Sequence, residues 1–203
     1  MKDYSQNGEQ AHFLKALGEP EKHPGRVLEI GAWDPWEFSS SRALIELGWE
    51  ALLFEPSPHS LKHLVEEYGN NSKIEVVGCP VTAHGGFVKL RLTDDAVSCH
   101  ADDAAHYQQW RERGGFYGIA TMLSISVAEL FNHWGGAFDF VSIDTEGTSV
   151  ALFNEMIRCG PRPRCVMVEH DGQHVELARI AEAANYRTVH LGTTNTILEW
   201  TGK

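Results

Sequence analysis

Two short apolar runs in this chain end on residues that could hold a nucleoside. Residues 27–30 are followed by Gly31-Ala32, and residues 52–54 are followed by Glu55. Gly31 has no Cβ, so a ligand can approach its backbone closely, and the Glu55 carboxylate can accept hydrogen bonds from both hydroxyls of a ribose. The two runs therefore predict a nucleoside site where two parallel strands end.

The loop after Gly31 argues against a dinucleotide. A dinucleotide-binding turn has the pattern G-x-G-x-x-G, whereas Ala32 is followed here by Trp33-Asp34-Pro35-Trp36. An oxidoreductase that uses NAD is therefore the weakest interpretation. Glu29 lies at the end of the first run, and a carboxylate in a desolvated cleft favours a cation over a phosphate. S-adenosylmethionine, a sulfonium ion, fits that requirement.

Four segments, in this order, resemble the FkbM family of Rossmann-like S-adenosylmethionine-dependent methyltransferases. They are Leu28-Glu29-Ile30-Gly31-Ala32, Glu55-Pro56, Ile143-Asp144-Thr145-Glu146-Gly147 and Val168-Glu169. The resemblance implies an α/β fold, a Rossmann-like doubly wound sheet of about seven strands with helices on both faces. The sheet would be mostly parallel, with an antiparallel last strand. The resemblance also implies an EC 2.1.1 methyltransferase.

Strand-like and helical patterns alternate from residue 26 onward, which is typical of a parallel sheet wrapped by helices. The predicted strands are 26–31, 50–55, 73–78, 138–143, 164–169, 186–191 and 195–200. Ser57 and the Ser126/Glu129 capping box begin two predicted helices, and two more span about 149–159 and 174–184. Gly85-Gly86 suggests a hairpin turn attached to the third strand.

The 203 residues suit a single domain, 1–203. Residues 94–122 depart from the alternation, and a segment of this kind either covers an active site or is disordered. We interpret it as a lid or a substrate-side insertion, because its aromatic residues supply apolar surface. The four cysteines show no C-x-x-C spacing, which favours reduced, structural thiols.

The net charge of -11 excludes nucleic acid as an expected partner, because no basic patch offsets it. No apolar run is long enough for a membrane span, and residues 1–6 lack the apolar core of a signal peptide, so a cytoplasmic location is expected. The oligomeric state is left open.

Acidic residues close four of the predicted strands. They are Glu29, Glu55, Asp144 and Glu169, and Glu146 and His170 follow shortly after two of them. Each carboxylate could instead cap the next helix. Acids gathered in one cleft repel each other unless a cation lies among them. That cation is either the sulfonium or a divalent metal, Mg²⁺ or another, with Asp144, Glu169 and His170 as the candidate ligands. A metal beside the acceptor is also what the resemblance implies, from related methyltransferases that act on antibiotic sugars.

Methyl transfer needs a base for the proton of the acceptor. His170 is the first candidate, because an imidazole suits proton removal at neutral pH, and Asp144 is the second. The candidate cofactor-binding residues are Glu29, Gly31, Ala32, Glu55, Pro56, Cys79 and Asp144. The acceptor is expected to be a small molecule with a sugar-like or other hydroxyl group. The alternative is a non-catalytic accessory or binding protein, which the bulky Trp33 and Pro35 favour.

Overall fold

The computed structural model describes residues 2–93, 99–100 and 116–202. In chain order its elements are α1 (Glu9–Leu17), β1 (Arg26–Ile30), α2 (Arg42–Glu46), β2 (Glu50–Phe54), α3 (Pro58–Tyr68), β3 (Ile74–Val77), β4 (Val81–Thr82), β5 (Gly86–Thr93), β6 (Cys99–His100), β7 (Phe116–Ser126), α4 (Val127–Trp134), β8 (Phe140–Ile143), α5 (Ser149–Cys159), β9 (Cys165–Glu169), α6 (His174–Ala183), β10 (Tyr186–Leu191) and β11 (Asn195–Trp200).

The main sheet has seven strands in the order β10-β11-β9-β8-β1-β2-β3. β1 pairs in parallel with β2 and β8, whereas β11 pairs antiparallel with both β9 and β10. The predicted α/β sheet, mostly parallel with an antiparallel last strand, is therefore confirmed. The strand order reverses beside β1, and in open α/β sheets that switch point is where ligands bind.

Helices cover both faces of this sheet because its central strands are apolar on both sides. On one face Phe13 of α1, Leu44 of α2 and Leu64 of α3 pack in one core cluster with strand residues such as Val27 and Phe140. On the other face α4, α5 and α6 pack on residues of opposite parity, among them Leu28 and Val141. The capping box of α4 is present, with Ser126 and Glu129 bonded reciprocally.

A second sheet of four strands, in the order β4-β7-β5-β6, follows β3. The predicted hairpin at Gly85-Gly86 is wrong in its pairing, because β5 pairs along its length with β7 and not with residues 74–81. Both glycines have positive φ, as the turn requires. Residues 116–122 of the predicted lid lie in β7. Apart from 99–100, the rest of 94–122 lies outside the described residues, so the lid and the single domain stay predictions.

The part of the chain that the structure describes contains no helix that is both long enough and apolar enough to cross a bilayer. Cys79, Cys159 and Cys165 are free thiols, of which Cys165 is buried and Cys159 is exposed. The interpretation of the four cysteines as structural thiols stays a prediction.

Candidate functional site at the carboxyl edge of the main sheet

The four acids that close strands meet at one edge and on one face of the main sheet. Side chains alternate between the faces of a strand, so Glu29 shares a face with Val27, and Glu55 shares one with Leu53. Val27 and Leu53 pack in the cluster on the side of α1, α2 and α3. By the same parity, Asp144 and Glu169 lie on that face, because Phe140 and Met167 belong to the same cluster. The sheet therefore gathers four carboxyl groups from four strands.

Gly31 brings the end of β1 close to the end of β8. Its φ is 86°, and a Cβ at this position would lie 1.7 Å from the backbone carbonyl oxygen of Asp144. The N–H groups of Gly31 and Ala32 both donate to the carbonyl oxygen of Phe54, at 2.9 and 3.0 Å. Gly31 is thus required by the contact between strands, in addition to any contact with a ligand.

The Glu29 carboxylate holds the start of α2. Its oxygens accept hydrogen bonds from the backbone N–H groups of Ser40 at 2.9 Å and Ser41 at 3.2 Å. Burial raises the pKa of Glu29 from 4.5 to about 7, although the bonds from Ser41 and Ser40 oppose that rise. Glu29 therefore shapes the floor of the site by fixing this loop.

The Glu55 carboxylate joins the two loops that flank the predicted nucleoside site. Oε2 accepts from the N–H of Trp33 at 2.9 Å, and Oε1 accepts from the N–H of Ser57 at 2.7 Å. The side chain is buried, and burial raises its pKa to about 7. Each oxygen still has a second acceptor position, because a carboxylate offers about four.

The loop between β1 and α2 is organised by aromatic contacts. Trp33 stacks on Phe38 with ring centroids 5.6 Å apart, and the Trp36 ring lies 3.4 Å from the guanidinium carbon of Arg42. Arg42 is itself buried and donates to Glu67 at 2.7 Å. The sequence places the bulky Trp33 and Pro35 in this loop, and in the structure Trp33 packs on Phe38 and Trp36 packs on Arg42.

Asp144, Glu146 and Glu169 form a compact acidic group. One carboxylate oxygen of each lies within 4.8 Å of those of the others. The pKa of Glu169 is raised strongly by burial, and next by the negative charges of Asp144 and Glu146. Sequence reasoning placed His170 in this group, whereas the third member among the described residues is Glu146. The sequence contains a signal for Glu146, because it lies two residues after Asp144, the spacing that places two side chains on the same face of an extended segment.

His170 is held by backbone groups on both sides of its ring. Nδ1 accepts from the N–H of Gly172 at 3.2 Å, and Nε2 lies 3.4 Å from the carbonyl oxygen of Gly192. With Nδ1 as an acceptor, the neutral ring carries its proton on Nε2 and donates it to Gly192. His170 is buried in this arrangement. Its predicted role as a base stays a prediction, and it would need to release the Gly172 contact to act.

The remaining predicted cofactor residues lie around this edge. Ala32 is buried in the cluster beneath α1, α2 and α3, and Pro56 follows Glu55 directly. Cys79 lies just beyond β3, half-buried against the other cluster, and burial raises the pKa of its thiol. The structure thus places these three residues near strand ends, and their contact with a cofactor stays a prediction.

Backbone strain is concentrated at the same edge. Five described non-glycine residues have positive φ, and four of them follow β1, β8 or β9: Trp33, Phe38, Glu146 and Asp171. Each such residue costs on the order of 1–3 kcal/mol and is typical of active sites and ligand clamps. This distribution supports the carboxyl edge as the functional one.

A cavity of about 230 Å³ lies at the opposite, amino edge of the sheet. It is lined by residues that include Arg26, Glu50, Lys73, Trp134 and Phe138. None of the predicted site residues lines it. Arg26 is engaged there with the Phe138 ring, 4.5 Å away, and with Glu50, which is a structural role.

Known structures share this fold, although no protein-family model and no curated protein matches the sequence. The METTL16 methyltransferase domain aligns with a TM-score of 0.50 and 14% identity, over 94% of this chain and 64% of that domain. The SAH-bound methyltransferase PaMTH1 of Podospora anserina aligns with a TM-score of 0.50 and 10% identity, over 92% of this chain and 76% of that protein. The precorrin-6y C5,15-methyltransferase of Geobacter metallireducens aligns with a TM-score of 0.50 and 11% identity, over 98% of this chain and 91% of that protein.

These likenesses show that the chain has the Rossmann-like fold of class I methyltransferases. The fold by itself does not assign a substrate. The chain spans less than two thirds of the METTL16 domain.

Proposed function

We propose that this chain is an S-adenosylmethionine-dependent methyltransferase of the FkbM type, acting on a hydroxyl oxygen of a small, sugar-like acceptor. One observation carries the proposal: the ends of β1, β2, β8 and β9 bring four carboxyl groups to one face of the sheet at its switch point. The charge of Asp144 contributes to the raised pKa of Glu29, of Glu55 and of Glu169. Such a group favours a cationic ligand.

S-adenosylmethionine supplies that cation. In this proposal the ribose hydroxyls bind the open acceptor positions of Glu55, and the sulfonium lies toward Asp144. Gly31, Ala32 and the loop held by Glu29 would flank the methionine portion, with Pro56 and Cys79 on the adenine side. The SAH-bound structure of the Podospora anserina enzyme supports a cofactor of this class in the shared fold.

The transfer is an in-line displacement at the methyl carbon. A lone pair of the acceptor oxygen forms the new C–O bond while the C–S bond breaks, and its electrons neutralise the sulfonium to give S-adenosylhomocysteine. The hydroxyl proton then passes to a base. Asp144 is favoured for this step over His170, because both ring nitrogens of His170 lie against backbone groups.

A divalent cation would be held by Asp144, Glu146 and Glu169, which offer the oxygen ligands that Mg²⁺ prefers. The bound cation would orient acceptor hydroxyls. The three carboxylates fit this role by donor type, and His170 is not part of that group.

Calorimetry with two ligands tests the cofactor assignment. S-adenosylmethionine and S-adenosylhomocysteine share the ribose, but only the former carries the sulfonium charge. Replacing Glu55 by Ala should therefore weaken both ligands alike, by about 1–3 kcal/mol. Replacing Asp144 by Asn should weaken S-adenosylmethionine more than S-adenosylhomocysteine. Adding Mg²⁺ to each titration reports whether the acidic group takes a metal.

The matched control is Glu50→Ala, at the other end of the same strand as Glu55. Glu50 is exposed and lies 3.5 Å from Arg26, so its loss should leave both affinities unchanged. Equal affinities for wild type and Glu55→Ala would refute the ribose assignment. Equal losses for the two ligands in Asp144→Asn would refute the sulfonium assignment.

A non-catalytic accessory protein is the second candidate. The observation that favours it is the Trp33 N–H, which already occupies one position on Glu55. Turnover of S-adenosylmethionine with any hydroxyl acceptor eliminates this candidate, whereas binding without turnover across an acceptor screen favours it.

A further inference from the structure

Two histidines lie one turn apart on the surface of α3. His59 and His63 are four residues apart, so both rings project from the same side of the helix. Their ring centroids are 4.6 Å apart. His59 is exposed and the side chain of His63 is 41% exposed, so an ion from solvent can reach both imidazoles. Two histidines at this spacing on a helix bind zinc in the H-E-x-x-H motif, and Ser60 occupies the position of its glutamate here.

A carboxylate from a different part of the fold lies beside these histidines. Oδ2 of Asp34, in the loop between β1 and α2, is 3.7 Å from Nδ1 of His63. That distance is too long for a direct hydrogen bond. Two ligand atoms that bind one Zn²⁺ tetrahedrally, each at about 2.0–2.2 Å, lie roughly 3.3–3.6 Å apart. The separation of Asp34 and His63 is therefore close to that of two zinc ligands.

The Asp34 carboxylate is held in its orientation by the backbone of its own loop. Oδ1 accepts hydrogen bonds from the N–H groups of Trp36 at 2.8 Å and Glu37 at 2.9 Å. The loop is also fixed to α3, because the Tyr68 hydroxyl donates to the carbonyl oxygen of Pro35 at 3.1 Å. Hydrogen bonds of this kind orient the ligands of metal sites. Asp34 is thus oriented toward His63 before any ion binds.

We propose that His59, His63 and Asp34 bind one Zn²⁺ ion, with water as the fourth ligand. Two imidazoles and a carboxylate suit a borderline divalent cation, and three protein ligands with one open position are a common zinc arrangement. The His59 ring turns toward the ion by a change of rotamer, which an exposed side chain makes within nanoseconds. The net charge of -11 also favours a cation at the surface.

The bound ion joins the loop after β1 to α3. This loop includes Trp33, whose N–H donates to Glu55, so zinc fixes the backbone next to the proposed ribose site. The zinc site shares no residue with the acidic group of Asp144, Glu146 and Glu169. Its existence does not depend on methyl transfer.

Calorimetric titration of Zn²⁺ into the full, untagged chain tests this site, with excess Mg²⁺ present to compete for the all-oxygen acidic group. Wild type should bind zinc with a micromolar dissociation constant. His59→Gln, His63→Gln and Asp34→Asn should each raise that constant at least about tenfold. Asp34→Asn is the conservative variant, because its amide oxygen still accepts the N–H bonds of the loop. Its amide nitrogen replaces Oδ2 and is a donor only, so it does not bind the ion.

The matched control is His23→Gln, which removes an exposed imidazole between α1 and β1. It should leave the zinc affinity unchanged. Zinc should raise the unfolding temperature of wild type and of this control but not of the three site variants, and unfolding without zinc checks that all of them fold. A wild type that binds no zinc overturns the proposal, and so does an affinity that survives in both histidine variants. An unchanged affinity in Asp34→Asn, or an equal loss in His23→Gln, also contradicts it.

Discussion

Gly31 lies directly against the backbone carbonyl of Asp144, so the end of β1 and the end of β8 are in close backbone contact. A Cβ on residue 31 would lie 1.7 Å from that oxygen, and the N–H of Asp144 donates to the carbonyl of Ile30 at 2.9 Å. β1 and β8 are adjacent in the sheet, so this contact fixes where Asp144 leaves its strand. Any side chain at residue 31 must therefore displace the site.

Replacing Gly31 by Ala should lower the free energy of unfolding by more than about 3 kcal/mol, through a backbone clash and a positive φ. Gly86 is the matched control. Its φ is 88° and nothing lies within 4 Å of its Cβ position, so Gly86→Ala should cost only about 1 kcal/mol for the left-handed backbone. Urea denaturation of both variants measures the difference, and equal losses would contradict the close-contact explanation.

The apo protein should lose stability as pH rises from about 5 to about 8. Burial raises the pKa of Glu29 and of Glu55 from 4.5 to about 7, so the folded state binds more protons than the unfolded chain between these values. The contribution of these two carboxyl groups to the stability of the folded state is fully present below pH 4.5 and is lost as the pH rises through 7. The expected slope is up to about 1.4 kcal/mol per pH unit for each group.

Denaturation at several pH values measures this slope. Glu55→Gln should flatten it, whereas Glu176→Gln should not. Glu176 is the control because its bond with Arg179 lowers its pKa. Stability that rises over the same range would contradict the prediction.

Affinity for S-adenosylmethionine should increase as pH rises through 7, if the proposed function is correct. Ionised Glu29 attracts the sulfonium, whereas its protonated form does not, and ionised Glu55 accepts the ribose hydroxyls of either ligand. Calorimetry in two buffers of different ionisation enthalpy should show proton release on binding near pH 6.5. S-adenosylhomocysteine should show a smaller pH dependence, and identical profiles for the two ligands would argue against attraction to the sulfonium.

Asp144→Asn should reduce kcat more than His170→Asn does, once an acceptor is identified. Asp144 lies in the acidic group, whereas the His170 ring lies between Gly172 and Gly192. Removing a general base costs typically 10²–10⁴-fold in rate. Single-turnover rates at saturating cofactor separate this effect from binding. A larger loss in His170→Asn, with unchanged thermal stability, would restore His170 as the base.

The main sheet was predicted well from the sequence, because its strands are short apolar runs that end at polar residues, glycines or prolines. Each of the seven observed strands of the main sheet lies within the predicted bounds, and the four predicted helices that fall on described residues agree to within a residue, as at Ser149–Cys159. Helices α1 and α2 were not predicted. The pairing of β5 with β7 could not be predicted, because their partnership spans an irregular segment and no local turn signal marks it.

The members of the acidic group were predicted only in part from the sequence. Glu169 and His170 are consecutive, and consecutive residues at a strand end point to opposite faces. Sequence reasoning treated them as joint ligands, although alternation alone separates them. The hydrogen bond from Trp33 to Glu55 depends on a left-handed residue in the loop, which the residue type of Trp33 does not indicate.

The four carboxyl groups come from four strands that are far apart in the sequence. No single strand or helix contains the complete set, so a ligand that needs all four carboxyl groups binds only the assembled sheet. Such a ligand stabilises the native state by an amount that grows with the logarithm of one plus the ratio of its free concentration to its dissociation constant. The amount of ligand bound at the carboxyl edge under saturating conditions therefore measures the fraction of the chain that is folded.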